Sequence, residues 1–169
     1  MRSYARNQGS PVPNTVLARD VSANDEESMS QETVATYLNA LRKIFVVEDM
    51  PAWKPNLRSK TAIRSSDTRY YVDPSIAAAA LGIGPNDLIN DLNTFGFIFE
   101  TLCVRDLRIF ADALDGQVYH YRDKDGMESK IDTDKMKAPS FLMVLTGVGG
   151  YAYRRKDGVC VVPIGCLRH

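Results

Sequence analysis

The sequence predicts an α+β protein of two domains, and three observations carry that expectation. Val34, Leu38 and Leu41 recur at helical spacing between Gln31 and Lys43. A longer stretch, residues 94–114, is apolar on nearly every side and reads as a central helix. Beyond it, short apolar runs alternate with Asp123-Lys124-Asp125-Gly126 and Lys156-Asp157-Gly158, turn sequences that close hairpins. The helical first part is expected to end near Val72, with a second domain over residues 73–169.

The elements follow in order. Residues 2–7 read as a short helix stopped by Gly9 and the Pro11/Pro13 pair. Asn14 or Thr15 is expected to cap a second helix running to about Val21. Ser30 suits the N-cap of the helix over Gln31–Lys43, whose last turn carries Arg42 and Lys43, where positive charge complements the helix dipole. Phe45-Val46-Val47 and Tyr70-Tyr71-Val72 read as strands. Asp73-Pro74-Ser75 opens an alanine-rich helix over residues 76–81 that stops at Gly82. In the second half, residues 118–122, 141–145, 151–153 and 159–164 read as strands. The glycines of Thr146-Gly147-Val148-Gly149-Gly150 lie between two of them and read as a hairpin, not as a phosphate loop before a helix.

Composition narrows the function classes. In 169 residues, 44% are hydrophobic and 25% charged, enough both to build a core and to keep it in solution. Lys plus Arg equals Asp plus Glu at 21 each, so any electrostatic partner must be met by a local patch. No apolar run reaches the length of a membrane span, and the N-terminal residues lack a signal core; a cytoplasmic location without membrane contact is expected. Cys103, Cys160 and Cys166 lack paired spacing and are expected to be reduced thiols, with no metal bound. No G-x-x-x-x-G-K-[ST] sequence is present, so neither ATP nor any other cofactor is expected.

Three short helices followed by a strand make the order of a winged helix-turn-helix, which the sequence places in residues 1–72. On its third helix Gln31, Glu32, Ala35, Thr36, Asn39 and Arg42 are the expected exposed positions, a weak surface for reading bases. The connector over residues 50–69 is richer in charge. Lys54, Arg58, Lys60 and Arg64 are the candidate nucleic-acid-binding residues, and Trp53 beside them suits stacking on a base or packing on the helices. Two carboxylates stand out as weak catalytic candidates, Glu100 within the apolar helix and Glu128 after the hairpin turn. A carboxylate buried in such a helix must be paired, neutral or metal-bound; the alternatives are an ion pair with Arg105 or Arg108, or exposure on a helix flank.

Arg69-Tyr70-Tyr71-Val72-Asp73-Pro74, Gly96-Phe97-Ile98-Phe99-Glu100 and Tyr119-His120-Tyr121-Arg122-Asp123 resemble the C-terminal region of a family of prokaryotic ATP-binding proteins in which an AAA-type ATPase module precedes an uncharacterised domain. The resemblance runs from the winged helix to Pro163-Ile164-Gly165. It implies that the second half is similar to the PD-(D/E)XK endonuclease fold, in which a helix glutamate, matching Glu100, precedes a hairpin and then an aspartate and a Glu-x-Lys pair. The chain departs from this pattern twice. The ATPase module that precedes the winged helix in that family is expected to be missing, and only residues 129–137 intervene before the strand opened by Pro139-Ser140-Phe141. Lys130-Ile131-Asp132 does not restore a Glu-x-Lys pair, so an internal deletion through the nuclease-like core is the simplest account. Metal-dependent cleavage of a phosphodiester needs convergent carboxylates, which such a deletion removes.

The expectation is therefore a non-catalytic accessory or remnant form of this ATPase-associated region, acting through protein or nucleic-acid contacts, with an AAA-type ATPase as a possible partner. The alternatives are a metal-dependent nuclease using Glu100, Glu128 and Asp132, and a winged-helix regulator binding DNA. Loss of a central strand and helix also predicts self-association, through apolar faces of residues 94–114 and the edge of the strand over 141–145.

Overall fold

The computed structural model describes residues 1–23, 29–53, 66–120 and 140–167. The chain is a mixed α+β protein, and its described residues fall into two compact units, one formed by residues 1–53 and 66–120 and the other by residues 140–167.

The first unit opens with α1 (Arg2–Arg6), α2 (Asn14–Ser22) and α3 (Gln31–Lys43). The expected cap of α2 is not used: Pro13 holds the N-cap position without a side-chain bond. Asn14 is drawn elsewhere, its Oδ1 accepting a hydrogen bond from Arg69 Nη2 at 2.9 Å. Ser30 does cap α3, its hydroxyl oxygen accepting from the Thr33 amide at 3.1 Å. The other end of α3 closes by paired turns. The Val46 amide donates to the Leu41 carbonyl at 2.9 Å and the Phe45 amide to the Arg42 carbonyl at 3.1 Å. That arrangement needs a left-handed residue at its end, and Phe45 supplies it with φ 54°. The strand expected to begin at Phe45 therefore begins two residues later.

From Val47 the chain runs outward and returns antiparallel, with Val47 opposite Tyr71 and Met50 opposite Thr68. Hydrogen bonds from the Glu48 amide to the Tyr70 carbonyl (2.9 Å) and between Met50 and Thr68 (2.8 and 2.9 Å) hold this ribbon. Side chains alternate across it. Val47 and Tyr71 join Tyr4, Leu17, Val34 and Leu38 in the main core, while Met50 and Tyr70 pack with Val104 in a second cluster. The ribbon is thus covered on both faces. Ala52 adds a parallel bridge to His120, the first part of the strand expected over 118–122; its remainder and the Asp123–Gly126 turn lie outside the described residues.

Three helices follow. In α4 (Pro74–Leu81), Asp73 accepts from the Ser75 amide at 2.8 Å and Gly82 ends the helix in the left-handed region, as the sequence implies. α5 (Pro85–Asn90) was not legible, being only six residues long; its signals are Pro85 at the first turn and the Asp87 carboxylate accepting from the Gly84 amide at 2.7 Å. α6 (Leu92–Asp112) starts two residues before the expected position because Asp91 accepts from the Asn93 and Thr94 amides, both at 3.1 Å. α4 packs on α1 and on α6. The break expected at 72/73 thus falls inside this unit, which continues to His120. No helix among the described residues is long and apolar enough to cross a membrane.

The second unit is a three-stranded sheet in the order β1 (Met143–Thr146), β3 (Cys160–Pro163), β2 (Tyr153–Arg154). β2 and β3 form the antiparallel hairpin expected around Lys156-Asp157-Gly158, with Gly158 at φ 90°. The hairpin expected across Thr146–Gly150 does not form, because β1 pairs in parallel with β3 and lies on the far side of it from β2. The glycines serve a different purpose. Gly149 has φ 144°, and a Cβ there would stand 2.6 Å from Pro163 Cγ, so the crossing chain passes too close to β3 for any side chain.

Candidate functional site

The root of the ribbon is the most organised polar site in the first unit. Val47 opposite Tyr71 and Met50 opposite Thr68 put Asp49 directly across from Arg69. Arg69 Nη1 donates to Asp49 Oδ2 at 3.0 Å, and both side chains are nearly buried, at 10% and 6% exposure. The same carboxylate accepts from Arg42 at the end of α3 and from the Tyr4 hydroxyl of α1. Arg69 spends its other donors on the N-terminal loop, Nε on the Val12 carbonyl at 3.1 Å and Nη2 on Asn14. Its backbone adds bonds to Gly9 (2.8 Å) and Ser10 (3.2 Å). One carboxylate and two guanidinium groups therefore tie α1, α3, the loop before α2 and both arms of the ribbon together. Burial, and then the Asp49 charge, push the Tyr4 phenol far above its usual pKa, so it remains a donor throughout the ordinary pH range.

The opposite face of the ribbon meets α6. There the Tyr70 hydroxyl donates to Glu100 Oε1, and burial followed by this bond raises the Tyr70 pKa well above the phenol range. Glu100 itself is exposed, since α6 turns Thr101, Cys103 and Val104 inward and leaves Glu100 on its flank. The exposed-flank alternative is the one realised, and the carboxylate is not a buried charge in need of a metal. Two turns further on, Arg108 Nη1 lies 3.5 Å from Glu48 Oε2, and Arg108 Nη2 is buried without a hydrogen-bond partner. Thr101, fully buried, sets its hydroxyl oxygen 3.0 Å from the Gln8 side-chain oxygen and from the Phe97 carbonyl, fixing α6 against the N-terminal loop.

The other expected site residues fare differently. Lys54, Arg58, Lys60, Arg64, Glu128 and Asp132 lie outside the described residues. Among those described, no three His, Cys, Asp or Glu side chains come together in a way that suits a metal ion. On α3, Gln31, Glu32, Thr36 and Asn39 are exposed and Ala35 is half-buried. Arg42 is held between Asn39 (2.9 Å) and Asp49 and is no longer free to read a ligand. Trp53 is half-buried, its amide donating to the His120 carbonyl at 2.8 Å. Sequence reasoning missed Asp49 and Tyr4, and met Arg69 only as part of the basic connector and of the Arg69–Pro74 motif, not as the partner of a buried carboxylate. The available signal was charge in a two-residue alternation with Val47 and Tyr71, but its meaning depends on the register between two arms far apart in the chain.

Residues 1–87 match the family described as Domain of unknown function (DUF8612), a span from α1 into the start of α5. The chain belongs to this family. No curated protein and no solved structure matches it. The matched span contains α1–α3, the ribbon and the whole Asp49–Arg69–Arg42–Tyr4 cluster.

Proposed function

We propose that this chain is a non-catalytic binding module whose first unit is a winged helix that contacts the backbone of nucleic acid through its wing. The observation that carries this reading is the ribbon directly after α3, clamped at its root by Asp49 to both Arg69 and Arg42. A ribbon fixed in this way is a rigid mount for whatever lies between its arms. The sequence there, residues 54–65, contains Lys54, Arg58, Lys60 and Arg64 and no acidic residue. The exposed side of α3 supports backbone contact over base reading, because its one basic residue among the candidates is committed to Asp49. The resemblance to the C-terminal region of AAA-type ATP-binding proteins supplies a setting, that of an accessory or remnant form working beside such an ATPase, in a cytoplasmic location.

The nuclease alternative has Glu100 alone among the described residues, already bonded to Tyr70 on an exposed flank, and we set it aside. The mixed sheet of residues 140–167 is compatible with a shortened endonuclease-like core.

Binding of this kind is weak, tolerant of sequence and steep in salt, since each neutralised phosphate adds about 0.9 to the slope of log affinity against log salt on duplex DNA. Fluorescence anisotropy with a labelled duplex oligonucleotide across a salt series tests it. Lys60→Glu combined with Arg64→Glu is expected to weaken binding at low salt and to lower the slope by about 2. Unchanged affinity and slope would falsify the assignment.

A further inference from the structure

Two faces of the first unit carry exposed apolar side chains and opposite charge. The first is the α1–α3 face. A cavity of about 640 Å³ opens between α1, α2 and α3, with Leu38 and Leu41 in its wall and Arg2, Arg6 and Tyr37 also lining it. One turn beyond Leu41, Ile44 and Phe45 are 66% and 80% exposed. Phe45 is the more telling of the two. It occupies the left-handed position that closes α3, where a β-carbon is strained and glycine is the usual residue. A sequence shaped only for folding gains nothing from an aromatic ring there, because the ring is in water. The basic groups of this face are Arg2, Arg6 and Lys43; Arg6 is paired with Asp20 at 2.7 Å, whereas Arg2 and Lys43 have no ion-pair partner among the described residues.

The second face is the start of α6 with α5 before it. Ile89 at the end of α5 and Leu92 at the start of α6 are 71% and 73% exposed, and Phe95, one turn of α6 beyond Leu92, is exposed as well. Asp87 and Asp91 flank this stripe, both exposed. Residues 70–104 contain no lysine or arginine, so nothing near the stripe in sequence offsets these carboxylates. One face is apolar with a basic border and the other apolar with an acidic border.

We infer that the Ile89–Leu92–Phe95 stripe of one copy of this chain docks on the Tyr37–Ile44–Phe45 face of a second copy. Burial of the apolar side chains supplies the affinity. The exposed charges add little energy and select the orientation, unlike face to unlike face. Contact between unlike faces either closes as a reciprocal pair, in which each copy gives both faces, or continues to further copies.

Light scattering on the full chain, over about a hundredfold range of concentration, tests the contact together with two variants. One variant alters the first face, Ile44→Ser with Phe45→Gly; the other alters the second, Ile89→Ser with Leu92→Ser. All four positions are exposed, and circular dichroism and thermal melting verify that each variant is folded. The wild-type mass is expected to rise above the 18.8 kDa of one chain as concentration increases. Each variant alone is expected to associate at least about tenfold more weakly, and an equimolar mixture of the two to recover association, because one intact pair of unlike faces is restored. Arg2→Glu is expected to weaken the wild-type contact, and more so at low salt. A wild-type monomer at every concentration overturns the inference. So does dissociation by only one of the variants, which means like faces pair, or a mixture that remains dissociated.

Discussion

The two units hold their chains together by different means. In residues 1–53 and 66–120 the ribbon is covered on both faces, and charged groups are enclosed with it: Asp49 and Arg69 are nearly buried and bonded on several sides. In residues 140–167, Val159 and Pro163 are the buried residues, and the ion pair Arg155–Asp157, at 2.7 Å, is half exposed. The sheet there depends on backbone pairing and on one close crossing, that of Gly149 over Pro163. A buried charge cluster fixes which elements meet, because any other arrangement strands a charge; a thin sheet with surface charges tolerates change everywhere except where backbones nearly touch.

Asp49→Ala strikes the first arrangement at its centre. Arg69 loses its charge partner while still enclosed, Arg42 loses one of its two partners, and the Tyr4 hydroxyl loses an acceptor. Removing one member of a buried ion pair costs about 3–5 kcal/mol. Urea unfolding followed by circular dichroism is expected to show a loss of this size, with helix melting first. Arg155→Ala, on the exposed pair of the sheet, is expected to change stability by less than about 1 kcal/mol. Equal effects from the two substitutions would erase the distinction between the units.

How much of this was legible in the sequence follows the same division. α3, α4 and α6 were readable because each carries its signals locally: Ser30 before an apolar period, Asp73-Pro74 and Gly82 around alanines, and a long apolar run. The hairpin at Lys156-Asp157-Gly158 was readable for the same reason. The ribbon root was not. Asp49 and Arg69 are 20 residues apart and meet only because of a register that no local feature announces. Nor was the parallel pairing of β1 with β3, since a glycine-rich segment between two strands looks the same whether it turns back or crosses. Glu100 drew attention as a charge in an apolar run, yet 21 residues of helix have a flank as well as a core side, and composition alone does not say which one a residue occupies.

Gly149→Ala tests the second arrangement at its one intolerant point. The added Cβ would stand 2.6 Å from Pro163 Cγ, and φ 144° is a conformation that side chains avoid. Overpacking and strain of this kind cost about 1–3 kcal/mol. Because the clash is with β3, the expected signature is increased amide exchange in residues 143–146 and 160–163, with residues 1–53 and 66–120 unaffected. Gly150→Ala is the control, as a Cβ there meets nothing within 4 Å. If both substitutions are equally mild, the crossing does not constrain the sheet.

The smallest expected effect is also a gain. Phe45 closes α3 in the left-handed region at φ 54°, a conformation that disfavours any residue with a β-carbon by about 1–2 kcal/mol. Its ring is 80% exposed, so glycine there gives up almost no buried apolar surface. Against the relief of strain stands the greater freedom of glycine in the unfolded chain, about 0.5–1 kcal/mol. Strain relief exceeds that cost, and Phe45→Gly is expected to stabilise the first unit by about 0.5–1 kcal/mol, read as a higher urea midpoint at unchanged slope. The paired substitution Asp115→Gly at the end of α6, where φ is 52°, is expected to gain less, because aspartate tolerates the left-handed region better than a bulky ring does. A loss of stability in Phe45→Gly would show that the ring is supported by contacts within its own chain. A gain in stability accompanied by weaker self-association would show that the strain is retained for docking.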